Sequence, residues 1–364
     1  MSDTVFINGK FTAQRTTGVQ RVALNLLCAI DAVLATLQAS ERNWTLLIPP
    51  GGHAPPLRHI RVVQVAAGPW RSLHAWEQLA LPWAARNGLL LNFGGTAPLA
   101  ARRQFCMLHD AAVFDHPEAY TWAFRNWYQQ MFRLLASSAD LVFTPSEFSR
   151  QRLAECLNTP RGTMVVLPGA ADHFDLIDPD PSVMKTWRLQ DQAFFLAVGS
   201  DNLTKNIALL LDAYAAMPNK LSVALVLVGG SNARVFKDTA NQKHVEGVIR
   251  TGPISDAQLK ALYQHALAFI FPSRYEGFGL PPLEAMRCGC PVAAAQVASI
   301  PEVCGDAALY FDPGSEQDLL DCLQRLALSP DLRDMLRQAG TLRVRQFSWS
   351  ESARKVIESV LTRA

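Results

Sequence analysis

The sequence predicts an α/β protein built from βαβ units and divided into two domains. Three observations lead there. Short apolar runs ending in turn residues alternate with stretches of helical period along almost the whole chain. The 364 residues fit two domains of ordinary size. Residues 172–191, DHFDLIDPDPSVMKTWRLQD, carry two prolines and five aspartates with no period, which makes this stretch the best domain boundary. The expected division is 1–172, 173–346 and a closing helix within 347–364. Which half that helix packs on is open, and a return to the N-terminal domain is one arrangement.

In the first half, TVFING (4–9) reads as the opening strand, and the loop AQRTTGVQR leads into the helical VALNLLCAIDAVLATL (22–37). WTLLIPP and IRVVQVA are strand-like, and LHAWEQLALPWAARNG (73–88) is a helix with a proline kink or stop. LLLNFGG, QFCMLHD and DLVFTPS are apolar runs closed by turn or polar residues, the signature of buried parallel strands that deliver loops at their carboxyl ends. In the second half AFFLAVGS, SVALVLVGG, GVIRTGP, LAFIFPS and CPVAAA are strands. NIALLLDAYAAM, DAQLKALYQHA and LEAMRCG are helical.

Composition narrows the function classes. A net charge of +2 offers no bulk attraction to nucleic acid. The first residues, MSDTVFINGK, lack the basic and apolar regions of a secretory signal, and no window reaches the roughly 18 apolar residues of a spanning helix. Seven cysteines, an odd number without paired CxxC spacings, point to reduced thiols in the cytosol. Asp178–Pro179–Asp180 looks like an acid pair for a metal, but it sits in the linker and reads as a solvated loop. No metal site is expected.

The candidate site lies at strand ends, where open α/β sheets bind ligands. In SRYEGFGLPPLEAMRCGCPV (273–292), Pro281 and Pro282 suit the first turn of a helix. The N–H groups of the Gly277–Leu280 region then stand at a helix entrance that favours a phosphate, and Gly277 and Gly279 permit close backbone approach. Glu276 and Glu284 flank the turn without sharing a helix face, so each can accept from different hydroxyls of one ligand. The plainer readings are a dipole-complementing acid for Glu284 and a solvated charge for Glu276. Lys205, just past a strand in AVGSDNLTKN, can neutralise a diphosphate or be a surface lysine. His109 ends the strand MLHD and can be structural or functional. Gly18, at a loop-to-helix junction, is a second cradle or a plain turn.

Together these segments resemble the retaining glycosyltransferase family 4. E276-GFGLPPL-E284 matches its E-x7-E motif, and TTGVQRVALNLL, HAWEQLALPW, MLHDAAVFDHPEAY, ADLVFTPSEFSRQRL, VVLPGAADHF and TGPISDAQLKALYQHA extend the likeness over most of the chain. The nearer likeness is to bacterial mannosyl- and rhamnosyltransferases of surface polysaccharides. The resemblance implies a GT-B architecture, two facing Rossmann-like domains with a cleft between them. It further implies that Glu284 holds the ribose hydroxyls, that Glu276 and the Gly277, Phe278, Gly279 and Leu280 backbone hold the donor sugar and distal phosphate, and that Lys205 binds the diphosphate. Gly18 lets the first loop sit against that diphosphate, His109 reaches toward the donor sugar, and Ile254 packs the base. The implied substrates are a nucleoside diphosphate sugar, GDP-mannose as first choice, and a glycan or lipid-linked glycan acceptor. No cofactor or obligatory metal is implied. The arginine that many members carry beside the lysine is Ser200 or Thr204 here, leaving Arg274 or Arg21 as substitutes. A nucleotide-sugar epimerase or hydrolase and a non-catalytic nucleotide-binding subunit are the alternatives. TWAFRNWYQQMFRLL (121–135) is core or a membrane-facing acceptor surface, the latter suiting a peripheral location on the cytoplasmic face.

Overall fold

A computed structural model describes residues 4–36, 42–68, 72–199, 202–218, 223–230 and 245–363. They form two compact units: Met1–Ala111 with Asn126–Gly169 and Ser348–Ala364, and Ala112–Arg125 with Ala170–Phe347.

The first unit holds a parallel sheet of β1 (Thr4–Asn8), β2 (Asn43–Ile48), β3 (Arg61–Gln64), β4 (Leu89–Asn92), β5 (Gln104–Met107), β6 (Leu141–Thr144) and β7 (Met164–Val166), in the order β3-β2-β1-β4-β5-β6-β7. The second holds β8 (Phe194–Val198), β9 (Ala224–Val228), β10 (Val248–Gly252), β11 (Ala268–Phe271), β12 (Val292–Ala295) and β13 (Ala308–Phe311), in the order β10-β9-β8-β11-β12-β13. Both sheets reverse strand order once, between β1 and β4 and between β8 and β11, the arrangement of a Rossmann-like fold.

The central strands are covered on both faces, which is why they read as unbroken apolar runs rather than alternating ones. All of β4, β5, β6, β9, β11 and β12 is buried. Edge strands are less legible. β7 (three residues) and β13 (four) are each buried only in part, so neither shows the unbroken apolar run of the central strands. Within the expected linker, Asp172–Leu176 makes a 3-10 turn and Ser182–Thr186 a short helix.

Two segments bear on the domain limits. Residues 112–125, read from sequence as part of the first domain, are held in the second unit, where the Tyr275 hydroxyl donates to the Asp115 carboxylate at 2.8 Å and the His116 ring meets Tyr275 edge-on. The closing helix, Trp349–Arg363, packs on the Gly18–Leu34 helix of the first unit. It buries Ala353, Val356, Ile357 and Val360 there, and the Ser352 hydroxyl donates to the Pro168 carbonyl.

The expected disturbance at Pro82 takes a specific form. The helix from Leu73 to Ala75 widens into a π-turn over Trp76–Ala80 before Leu81–Ala84 resumes the α form. The Leu81 N–H donates to the Trp76 carbonyl, five residues back. Proline lacks an N–H for the Gln78 carbonyl, and its ring would strike that carbonyl in a regular helix, so the helix takes up one extra residue. Glu77, within the widened turn, is almost wholly buried at the carboxyl end of the sheet. There it accepts from Lys10 Nζ at 2.7 Å, Asn8 Nδ2 at 2.9 Å and Thr96 Oγ1 at 2.7 Å.

Removing one partner of a buried ion pair leaves an uncompensated charge. Glu77→Ala is expected to cost about 3–5 kcal/mol of the first unit's stability. The exposed Glu351→Ala, which breaks a surface pair with Arg354, should cost no more than about 1 kcal/mol. Urea unfolding of both variants checks the contrast.

Candidate functional site

The second unit's site is built where its strand order reverses. Loops leaving neighbouring strands β8 and β11 turn to opposite sides of the sheet, opening a crevice at their carboxyl ends. After β8, Asn202 caps a 3-10 turn, its side chain accepting from the Thr204 N–H, and the turn ends in Lys205. After β11 come Ser273, Arg274, Tyr275 and Glu276. The Arg274 N–H donates to the Thr204 carbonyl at 2.7 Å, stitching the two loops together. Across this seam Lys205 Nζ donates to Glu276 Oε1 at 2.5 Å, and the ammonium lies 5.9 Å from the centre of the Phe271 ring. The pair is partly open to solvent, the side chains 26% and 14% exposed.

The turn following Glu276 runs into the helix Leu280–Arg287, whose first turn contains Pro281 and Pro282. Gly279 has φ +108°, a left-handed value, and a Cβ added there would lie 2.8 Å from Ile300 Cδ1. No other residue fits this position without displacing Ile300. Phe278 is buried, edge-on to Phe347. Glu284 is 3% exposed, with the Tyr263 hydroxyl 3.5 Å from Oε2 and His173 Nε2 3.8 Å from Oε1. Its carboxylate thus sits inside the helix packing rather than as a solvated first-turn charge.

The ends of β8, β9 and β10 line a half-open cavity of about 220 Å³, with Gly199, Gly229, Gly230, Arg250 and Gly252 among its walls. Gly229, at φ +132°, comes so near Gly199 that a Cβ would lie 2.0 Å from the Gly199 carbonyl oxygen. Ile254 follows β10 in the same edge loop, half-buried, before the Ser255 capping box of the helix Asp256–His265.

In the first unit, His109 follows β5 and its Nε2 lies 2.9 Å from the Phe93 carbonyl oxygen. A carbonyl only accepts, so Nε2 carries the proton and Nδ1 a lone pair. Burial pulls this histidine down from 6.5 to about 4, against the opposing effect of the Phe93 hydrogen bond, so the ring is neutral at pH 7. Gly18 opens the helix Gly18–Leu34 behind a Thr17–Gln20 capping box. A Cβ at Gly18 would meet no atom within 4 Å, so no neighbour in the described chain requires a glycine there.

The fold therefore gathers Lys205, Glu276, Gly277, Phe278, Gly279, Leu280 and Glu284 on one edge of the second unit, with Ile254 on the same edge. His109 and Gly18 belong to the corresponding edge of the first. Of the two positions where an arginine was sought, Thr204 is buried in the turn and Ser200 lies outside the described residues. Arg274 is exposed one residue from Tyr275, and Arg21 lies in the first turn of the first unit's Gly18–Leu34 helix. Two residues near the site carry no sequence signal of their own. Ser299 is fully buried and its hydroxyl lies 2.9 Å from the Glu276 carbonyl and 2.8 Å from that of Phe278. His173 faces Glu284 from a segment that reads as linker. Cys288 and Cys290 stand two positions apart after the Leu280–Arg287 helix; burial raises Cys288 to about 12 and drives Cys290 higher still, which disfavours a reactive thiolate at either.

Two Rossmann-like units, one with a lysine, a carboxylate and a glycine turn at a proline-started helix, make a protein of the class that binds its ligands at the carboxyl ends of parallel strands. Comparison with known proteins makes this particular. Residues 183–343 match the model of the family glycosyl transferases group 1. The O-antigen chain mannosyltransferase B of Escherichia coli is 31% identical over 302 residues, covering 80% of this chain and 78% of that protein. The serotype-specific mannosyltransferase WbdA of Escherichia coli is 28% identical over 277 residues, 70% of this chain, which spans only 32% of WbdA. Sucrose-phosphate synthase from Thermosynechococcus elongatus superposes with a TM-score of 0.74 over 98% of this chain and 97% of its own, at 20% identity, a likeness of fold. The chain belongs to the glycosyl transferases group 1 family; it is a glycosyltransferase with the GT-B fold.

The depressed His109 couples stability to pH. The unfolded chain takes up the proton near pH 6.5 and the folded one only near 4, so the contribution is whole above 6.5 and is lost as pH falls through that window. The full difference amounts to about 3 kcal/mol. His109→Gln should flatten the dependence of unfolding free energy between pH 7 and 4, measured by urea titration at successive pH values.

Proposed function

We propose that the chain transfers a hexose, mannose as first choice, from a nucleoside diphosphate sugar to a hydroxyl of a glycan or lipid-linked glycan during bacterial polysaccharide synthesis, with retention at the anomeric carbon. The observation that carries this reading is the Lys205–Glu276 pair at the reversal point of the second sheet, beside the Gly279 turn and the helix that holds Glu284. A diphosphate arriving there exchanges partners with the pair. Lys205 turns to the phosphate oxygens, and Glu276 is released to accept from sugar hydroxyls. Glu284 accepts from the ribose hydroxyls, and Ile254 with the neighbouring cavity takes the base. GDP is the preferred nucleotide by likeness to proteins named mannosyltransferases.

In the reaction the bond from the anomeric carbon to the phosphate oxygen breaks as the acceptor oxygen attacks the same face. The acceptor proton passes to the departing phosphate. The charge that develops on the diphosphate is met by Lys205 and the N–H groups of the 277–280 turn, donors already aimed before the bond breaks. These supply the cationic and dipolar stabilisation without a metal ion, and Arg274, exposed on the same edge, is the candidate for the missing arginine. His109, neutral with its Nδ1 lone pair available, accepts from a hydroxyl of the donor sugar. Gly18 leaves room for the diphosphate at the head of its helix. The mannosyltransferase names of the relatives favour transfer over epimerisation or bare hydrolysis, and incubation with donor alone separates these.

A cytoplasmic location with peripheral membrane contact completes the proposal. Among the described residues no helix is long and apolar enough to cross a membrane. The helix Trp122–Ser138 leaves Trp122, Trp127, Leu134 and Arg133 exposed, with Arg125 half-buried, a mixture of aromatic and basic residues that suits an interfacial surface.

Two outcomes test these assignments. In a thermal-shift panel of GDP, UDP and dTDP, GDP should raise the midpoint most. Lys205→Ala and Glu284→Ala should abolish that rise and lower transfer from GDP-mannose at least about 100-fold while the protein stays folded, in line with the loss of one transition-state donor; full turnover in either variant refutes its role. Separately, the protein should co-sediment with vesicles rich in anionic lipid, and Trp122→Ser with Trp127→Ser should release it. A wild type that stays in the supernatant at low salt removes the membrane contact.

A further inference from the structure

We propose that Ser299 is a positioning residue that aims the backbone donors of the 277–279 turn at the diphosphate of the donor; this rests on reading that turn as the donor grip. The argument begins with the planar trans peptide, in which C=O and N–H point in opposite directions. The Glu276 carbonyl shares a peptide plane with the Gly277 N–H, and the Phe278 carbonyl shares one with the Gly279 N–H. Ser299 Oγ lies 2.9 Å from the first carbonyl oxygen and 2.8 Å from the second, so its single hydroxyl hydrogen is shared between them. Both carbonyls are thereby turned toward one buried point. The N–H groups of Gly277 and Gly279 then face away from it.

The anchor itself is built to stay in place. Ser299 is wholly buried at the head of the helix Ile300–Cys304. It follows Ala298, which has φ +54°, an uncommon and strained conformation for a residue with a Cβ. The Ile300 N–H closes the turn by donating to the Val297 carbonyl at 3.1 Å. On the other side, Ile300 Cδ1 occupies the space a Cβ of residue 279 would need. The 276–279 and 297–300 turns are thus locked together by one hydroxyl and one apolar contact. The lock fixes direction, and a dipole aimed in advance is worth more to a developing charge than one that must reorient.

Inorganic pyrophosphate is the probe, since it reports the grip without depending on base or sugar. Calorimetric titration of the wild type, Ser299→Ala, Ser299→Thr and Lys205→Ala separates the possibilities. Ser299→Ala should weaken pyrophosphate about tenfold, the scale of a misdirected hydrogen bond to a charged group. Ser299→Thr, which keeps the hydroxyl, should stay within about threefold of wild type, a margin well inside one lost bond of that kind. Transfer by Ser299→Ala should fall in kcat, not merely in KM for the donor, because the mis-aimed donors matter most to the departing diphosphate. A Ser299→Ala protein with a lower melting midpoint but unchanged pyrophosphate affinity and kcat makes the serine structural and overturns the inference while Lys205→Ala still fails to bind. A wild type that does not bind pyrophosphate overturns the donor grip itself. Should Ser299→Ala not fold, wild-type protein labelled with ¹⁵N-glycine decides: the Gly279 amide signal must move on addition of pyrophosphate, and a Gly279 signal that stays fixed overturns the inference.

Discussion

One ion pair organises the second unit's working edge. Lys205 comes from the loop after β8 and Glu276 from the loop after β11, and the two strands are neighbours only because the sheet reverses its order there. Each charge would be costly alone at a half-buried sheet edge, so each keeps the other in place. Around them the chain removes alternatives: the Arg274 N–H ties one loop to the other, Gly279 admits no side chain, and Ser299 holds two carbonyls inward. What is left least enclosed is the ammonium and the carboxylate, whose side chains stay partly open to solvent.

The first unit shows the same topology put to a different use. Its sheet also reverses, between β1 and β4, and a lysine and a glutamate meet there too. Lys10 and Glu77 are 5% and 1% exposed at the side chain, against 26% and 14% for Lys205 and Glu276. The difference decides their roles. The sealed pair is enclosed by Asn8, Asn92, Thr96 and Gln104, whose bonds to one another and to Glu77 leave few lone pairs for a ligand. It sets the shape of the edge, while the pair of the second unit remains within reach of solvent.

Most of this architecture is legible in the residue order because buried parallel strands and turn-forming ends leave strong local marks. AFIF, LLLN and FFLAV can be little else, and E276-GFGLPPL-E284 names both its turn and its helix start. The limits are equally physical. β7 and β13 lie at sheet edges, where partly exposed residues replace the wholly buried apolar run of the central strands. Pro82 announces a disturbance, but a kink, a stop and a π-turn all satisfy the same missing N–H, and only packing selects the last, which delivers Glu77 to Lys10. Ser299 is invisible in sequence for another reason. A serine ahead of Ile-Pro-Glu reads as a helix start, and its bonds to carbonyls more than twenty positions back are tertiary facts. The lodging of 112–125 with the second unit depends likewise on Tyr275 meeting Asp115, 160 residues apart.

The return of Trp349–Arg363 to the first unit reverses the usual order of completion. A polypeptide emerges from the ribosome beginning at its amino end, and domains ordinarily close in that order. Here the helix Gly18–Leu34 cannot cover its apolar stripe until Trp349–Arg363, more than three hundred residues later, has been made. The second unit, whose segments end at Phe347, is finished sooner. A chain stopped after Phe347 would leave the second unit whole and strip the first of its cover, so damage to this one helix strikes a part of the chain more than three hundred residues away.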